Sequence, residues 1–229
     1  MIPIKDYLRS KSFPVVNSFF LLANGAVFVL QLTLPEGEAH AFVMRYGFVA
    51  ERFFASPVEE ALTPFTSMFL HGGFIHFAGN MLFLFVFGDN VEDALGHLRY
   101  VFFYLFAGLV AALAQGFLMR DPSVPLVGAS GAISAVIGGY IVLYPAARVL
   151  ALIPVGFFLM SARLPAYLFL GIWALLQFVS GWLTITGTAG TNVGYFAHIG
   201  GFLFGLVFTL LGREKYLAKF KRQRRVFYG

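Results

Sequence analysis

The sequence predicts an all-α polytopic membrane protein, a bundle of six transmembrane helices. Composition is the first reason, because 59% of the 229 residues are hydrophobic, 12% are charged and the mean hydropathy is +0.80. Water-soluble domains are closer to half apolar and one quarter charged. Length is the second reason, since a helix needs about 20 apolar residues to cross a bilayer and six runs approach that length.

The six predicted spans follow one another in a single membrane domain of residues 15–211. Their predicted bounds are residues 15–34, 73–90, 98–118, 129–144, 164–183 and 194–211. A segment of residues 1–14 precedes the domain, and a basic tail of residues 212–229 follows it. Residues 35–72 are too polar to span, so we expect a folded outer loop lying at the membrane interface. The first apolar run is too long for a cleavable signal peptide, and none is predicted.

Basic residues predict the orientation, because cytoplasmic flanks of membrane proteins are rich in Lys and Arg. With both termini inside, thirteen of the sixteen Lys and Arg lie on the cytoplasmic side. Only Arg45, Arg52 and Arg120 then face outward. We therefore expect a multi-pass protein, of the bacterial inner membrane, with cytoplasmic termini. Seven basic residues lie between Arg213 and Arg225, a position that favours anionic lipid over nucleic acid as the partner.

Ser130 lies where an outward-facing loop is predicted to become the fourth span. Residues 127–134 read Val-Gly-Ala-Ser-Gly-Ala-Ile-Ser. Unpaired backbone N–H groups at a helix start can donate to an anion, and Gly128 would permit a close backbone approach. This setting suits a nucleophilic serine. The alternative is that Ser130, Ser134 and Gly138, at helical spacing, form a small-residue stripe for helix packing.

His198 lies in the sixth predicted span, on the same helix face as Gly201 and Gly205. Ionisable residues at membrane depth are rare and are usually functional. Pairing the two small-residue faces would bring Ser130 beside His198. The alternative is a histidine that only forms a hydrogen bond between helices.

His76 and Asn80 are one helical turn apart at the start of the second span, so their side chains share a face. Two such donors could stabilise one developing oxyanion. A zinc site is the competing interpretation of His76, but the sequence has no Cys and no H-E-x-x-H motif. We therefore expect no metal and no cofactor. A purely structural pair that joins helices remains open.

Together, and in this order, the three motifs resemble the rhomboid family of intramembrane serine proteases. The resemblance runs from the first span to Gly205 and includes a glycine-and-glutamate turn at residues 88–92. It implies a six-transmembrane-helix rhomboid-like bundle and an endopeptidase that cleaves transmembrane proteins. It implies that Ser130 is the nucleophile and His198 the general base. It also implies an oxyanion hole formed by the following groups: His76, Asn80, Gly128 and the backbone N–H of Ser130.

Two positions depart from the family pattern. Leu62 and Thr63 stand where many members carry a Trp-Arg pair, which affects how the outer loop is anchored. Ser134 stands where some members place an aromatic ring against the catalytic histidine, so the sequence leaves open what orients His198. The eleven acidic residues fall in loops, tails or span edges, and a Ser-His dyad is therefore predicted rather than a triad.

Two other functions compete with the protease. A non-catalytic rhomboid-like scaffold that binds membrane spans predicts the loss of Ser130 or His198, and both are present. A small transporter commonly needs intramembrane charge or inverted repeats, and neither is visible. The sequence favours a protease whose partners are membrane-spanning substrates and the lipid bilayer, and leaves its oligomeric state open. We also expect residues 184–193 to act with the fifth span as a lid.

Overall fold

The computed structural model describes residues 1–8, 10–156, 158–187 and 193–227, and most of these are helical. The helices are α1 Val15–Thr33, α2 Glu36–Tyr46, α3 Ala50–Ala55, α4 Thr63–Thr66, α5 Phe74–Leu95, α6 His97–Leu118, α7 Ser130–Leu143, α8 Ala166–Thr186 and α9 Tyr195–Phe227. A 3-10 turn, Ser67–Phe69, follows α4. The strands are β1 Ile2–Asp6, β2 Arg148–Val155 and β3 Phe158–Pro165. Part of the predicted lid, residues 188–192, lies outside the described residues.

Five helices are long and apolar enough to cross a membrane: α1, α5, α6, α8 and residues 195–216 of α9. The chain therefore has the helices of a multi-pass integral membrane protein. Helix α7 has 14 residues, about 21 Å of helix, which is short for a span. A sixth crossing by α7 stays a prediction. Helix α9 continues beyond the predicted end of the last span at residue 211.

Helix α7 lies in the middle of the bundle and packs most extensively on α9. Nearly all of its residues are buried, so protein rather than lipid surrounds it. Glycines make the close contact possible. A Cβ on Gly201 would overlap the carbonyl oxygen of Gly131, and a Cβ on Gly205 would overlap the backbone of Ala135. The helix face predicted from Gly201 and Gly205 is thus the one that meets α7.

A three-stranded antiparallel sheet, in the order β1-β2-β3, corrects the all-α prediction. The sheet joins the N-terminal segment to a hairpin between α7 and α8, with Ile2 opposite Leu152 and Leu150 opposite Arg163. Gly156, at φ +60°, allows the backbone to turn after β2. This sheet was not predicted, because the apolar stretch lacks the polar-apolar alternation of a half-buried strand and β1 pairs with residues far along the chain.

The outer loop, residues 35–72, is folded as predicted and contains α2, α3, α4 and the 3-10 turn. An ion pair of 3.2 Å between Arg52 Nε and Glu60 Oε1 fixes its middle. Phe48 and Leu126 exchange backbone hydrogen bonds of 3.1 and 2.8 Å, which tie the loop to the segment before Ser130. The anchors of this loop are therefore different from the Trp-Arg pair of many rhomboids. Its position at a membrane interface stays a prediction.

Helix α5 extends past the predicted end of the second span and carries two buried carboxylates, Glu92 and Asp93. Glu92 is fully buried and accepts hydrogen bonds from the backbone N–H groups of Val16 and Asn17, at 3.0 and 2.7 Å. These are unpaired donors at the start of α1, where a negative charge is favourable. Glu92 thus lies near the predicted edge of the second span, but it is buried, which the sequence did not indicate. Its hydrogen bonds connect α1 to α5.

Candidate active site

The loop before α7 is shaped by Gly128, whose φ of +116° is accessible chiefly to glycine. Its N–H donates to the carbonyl oxygen of Ser67, 2.9 Å away in the 3-10 turn. A Cβ at this position would lie 2.7 Å from ring atoms of His76 and 3.5 Å from Nδ2 of Asn80. Gly128 therefore lets the loop lie directly against the His76 and Asn80 face of α5. Ser130 begins α7 immediately afterwards.

Ser130 and His198 lie beside each other at the N-terminal ends of α7 and α9. The distance between Ser130 Oγ and His198 Nε2 is 2.7 Å, that of a hydrogen bond. Both residues occupy the first turn of their helices, and the glycine contacts between α7 and α9 bring the two starts together. The structure thus joins a hydroxyl to an imidazole from two distant parts of the chain. A serine in this arrangement can transfer its proton to the histidine.

His76 and Asn80 lie on one face of α5 and both point toward Gly128. The N–H of Gly72 donates to His76 Nδ1 at 3.4 Å, which leaves the proton of the neutral ring on Nε2, the edge that faces Gly128. Asn80 is buried, and its Nδ2 has no hydrogen-bond partner among the described residues. A buried unpaired donor is costly, so it calls for an explanation. An oxyanion forming beside Ser130 would supply the missing acceptor.

Sequence reasoning missed two glutamines, one that contacts His198 and one that contacts the start of its helix. Gln177 of α8 places Oε1 2.7 Å from His198 Nδ1. Gln115 of α6 accepts hydrogen bonds of 3.1 and 3.2 Å from the N–H groups of Phe196 and Ala197, and so caps the start of α9. The only sequence signal was an uncharged polar side chain within an otherwise apolar span. A polar residue in an apolar run does not indicate which distant residue its side chain contacts.

Aromatic rings also surround the imidazole. The ring centroids of Trp173 and Tyr195 lie 6.0 and 6.4 Å from that of His198. Ser134, at the position where some rhomboids carry an aromatic residue, is fully buried and donates to the carbonyl oxygen of Ser130 at 2.6 Å. Since Ser134 supplies no ring, the aromatic contacts of His198 come from α8 and α9.

A small cavity of about 10 Å³ borders Ser130, Gly128, Ser67 and Ala197. That volume is close to the minimum that one water molecule needs. Across the part of the chain that the structure describes, no group of three or more His, Asp or Glu side chains could hold a metal ion. The chemistry available at the site is that of a hydroxyl, an imidazole and nearby hydrogen-bond donors.

A comparison with known families identifies the domain that contains this site. Residues 58–215 match the family model described as the Rhomboid domain. The chain belongs to the rhomboid family. The resemblance seen in the sequence is thereby confirmed, and the candidate site residues described above lie inside the matched range. Strand β1 and helix α1 lie outside it.

Curated relatives of this rhomboid come from animals, plants and bacteria. The presenilin-associated rhomboid-like protein, mitochondrial, of Rattus norvegicus is 29% identical over 203 residues, 85% of this chain and 48% of the relative. The Bacillus subtilis (strain 168) protein YdcA, provisionally named a rhomboid protease, is 32% identical over 130 residues, 56% of this chain and 62% of the relative. Rhomboid-related protein 2 of Mus musculus is 39% identical over 82 residues, 36% of this chain and 26% of the relative. The chain spans less than two thirds of each relative.

Proposed function

We propose that this rhomboid-family chain is an intramembrane serine endopeptidase whose nucleophile is Ser130 and whose general base is His198. The observation that carries the proposal is the 2.7 Å distance between Ser130 Oγ and His198 Nε2. A nucleophile and its base need hydrogen-bond reach, about 2.6–3.2 Å, and the two side chains, 68 positions apart in the chain, meet at this distance.

The reaction would proceed in two halves. Ser130 Oγ attacks the scissile carbonyl carbon while its proton moves to His198 Nε2. The same proton then passes to the leaving amine as the peptide C–N bond breaks, which leaves an ester on Ser130. His198 next takes a proton from water, and the hydroxide formed hydrolyses the ester. The released Ser130 oxygen recovers that proton.

The developing oxyanion would be stabilised by hydrogen bonds from α5 and α7. Asn80 Nδ2, the protonated Nε2 of His76 and the backbone N–H of Ser130 are the available donors. Water is excluded from much of the membrane interior, so each such bond is stronger than it would be in bulk solvent. The buried, unpaired Asn80 Nδ2 is the donor that would gain most from the oxyanion.

Replacing Asn80 with alanine should lower kcat roughly 10- to 1000-fold, the cost of one oxyanion donor. Folding should be preserved, because the lost amide has no Nδ2 partner among the described residues. Asn24→Ala is the matched control, since that buried amide donates within its own helix, to the Phe20 carbonyl at 2.7 Å. Steady-state cleavage kinetics of both variants test this. Wild-type kcat in Asn80→Ala would remove Asn80 from the site.

We propose that the substrates are membrane proteins with a single span. A peptide bond inside a regular helix is shielded by its own hydrogen bonds, so a cleavable span should contain small residues and helix breakers near the cut. The distribution of Lys and Arg supports cytoplasmic termini and a site that opens on the outer face of a bacterial inner membrane. The mitochondrial relatives make an organelle inner membrane the alternative location to test.

The assay that tests the proposal uses the purified chain in liposomes with a labelled single-span substrate. Wild-type protein should release two fragments, and Ser130→Ala should release none above background. Equal cleavage by Ser130→Ala would exclude this serine as the nucleophile. A second substrate with a rigid polyleucine span should be cleaved far more slowly, and equal cleavage would contradict the proposed substrate class.

A further inference from the structure

The imidazole of His198 has a second polar contact, in addition to its hydrogen bond with Ser130. Its Nδ1 lies 2.7 Å from Oε1 of Gln177, near the middle of α8. The other ring nitrogen is the one that faces Ser130. Both nitrogens of the base are therefore engaged, each by a different helix.

The amide orientation of Gln177 is fixed by a second bond. Its Nε2 donates to the carbonyl oxygen of Trp173, one turn earlier in α8, at 3.4 Å. Exchanging the oxygen and nitrogen of the amide would set Oε1 against that carbonyl oxygen, two acceptors with no proton between them. Oε1 therefore faces His198. Since Oε1 can only accept, the proton of the neutral imidazole must be on Nδ1.

We infer that Gln177 is a positioning residue that sets the tautomer and ring orientation of His198, an inference that rests on the proposed protease function. With the proton on Nδ1, the lone pair of Nε2 is free to accept the Ser130 proton. The opposite tautomer would present an N–H to the hydroxyl and could not act as the base. Gln177 thus performs the orienting part of a triad carboxylate's role.

A neutral amide suits this location better than a carboxylate. An unpaired carboxylate within a span carries a large desolvation cost, whereas an amide with both of its polar ends bonded does not. The amide supplies direction without a full negative charge. It would therefore stabilise the protonated imidazole less than an aspartate does. Its main effect should be to orient the His198 ring.

The contact also connects the base to the least embedded of the neighbouring helices. The buried residues of α8 are Ala166, Phe169, Leu170, Ala174 and Gly181. Only Gly181 among these follows Gln177, and most of the outer half of α8 is exposed on the described part of the chain. Displacing this half from α9 would remove the acceptor of Nδ1. Correct orientation of the base therefore requires α8 to be docked.

The test replaces Gln177 with leucine, which keeps the volume and removes the acceptor. We expect kcat to fall on the order of 10- to 100-fold, less than the loss expected when the whole imidazole is removed, with KM unchanged. Gln177→Glu retains an Oε acceptor and should restore most of the activity, with the acid limb of the pH–rate profile moved to higher pH. Asn24→Leu is the control, because it also replaces an amide with leucine and that amide donates within α1, to the Phe20 carbonyl at 2.7 Å.

A second readout does not depend on turnover. In ¹⁵N-histidine-labelled protein, the wild-type His198 signal should show a proton on Nδ1, and Gln177→Leu should show a mixture of tautomers. Unchanged kcat together with an unchanged tautomer in Gln177→Leu would overturn the inference and leave the protease proposal intact. If Gln177→Leu changes the tautomer but the wild-type protein cleaves no substrate, the protease proposal is contradicted and the positioning role of Gln177 is retained.

Discussion

Replacing His198 with alanine is expected to reduce kcat by roughly 10⁴- to 10⁶-fold while the protein remains folded. Without the imidazole, the Ser130 hydroxyl has no acceptor for its proton and is a weak nucleophile. Because the two residues act as one unit, the double variant Ser130→Ala/His198→Ala should be no slower than either single variant. Cleavage of the single-span substrate in liposomes measures all three.

His40→Ala is the matched control for this series, since His40 is an exposed histidine on α2. Its rate should equal that of the wild type. Multiplicative losses in the double variant would mean that Ser130 and His198 contribute independently, and the dyad would then be wrong. Retained turnover in His198→Ala would lead to the same conclusion.

Replacing Gly205 with alanine is expected to lower both Tm and activity. An alanine normally stabilises a helix by about 1 kcal/mol relative to glycine. Here the new methyl group would overlap the backbone of Ala135 in α7, so the helices must separate. Overpacking of this kind typically costs about 1–3 kcal/mol. Separation of α7 from α9 would also lengthen the hydrogen bond between Ser130 and His198, and the loss of kcat should exceed the loss of folded protein.

Gly25→Ala is the control for that substitution, because a Cβ on Gly25 of α1 meets no atom within 4 Å. Thermal unfolding in detergent, followed by fluorescence, compares the two variants. Gly25→Ala should unfold at or above the wild-type temperature. An equal Tm for both variants would contradict a close contact between Gly205 and the backbone of Ala135.

The helices and the motif residues could be predicted because their signals are local. A run of apolar residues defines a span without reference to the rest of the chain. The spacing of His198, Gly201 and Gly205 within one helix likewise defines the face that meets α7. These short-range patterns were sufficient to select Ser130 and His198 as the residues to test.

The remaining features depend on contacts between distant segments. Gln177 reaches His198 from another helix, and a single glutamine in an apolar run carries no spacing from which its partner can be inferred. Strand β1 pairs with β2 across most of the chain, and neither segment alternates polar and apolar residues. Glu92 was expected at a span edge, whereas α5 continues beyond it and buries it against the start of α1.

The most direct test of the account is to treat the purified protein with a fluorophosphonate and locate the adduct by peptide mass spectrometry. We predict one modified serine, Ser130, whose labelling rate falls sharply in His198→Ala and is unchanged in His40→Ala. An adduct on another serine, such as Ser134 or Ser67, or equal labelling with and without His198, would contradict a Ser130 hydroxyl activated by His198.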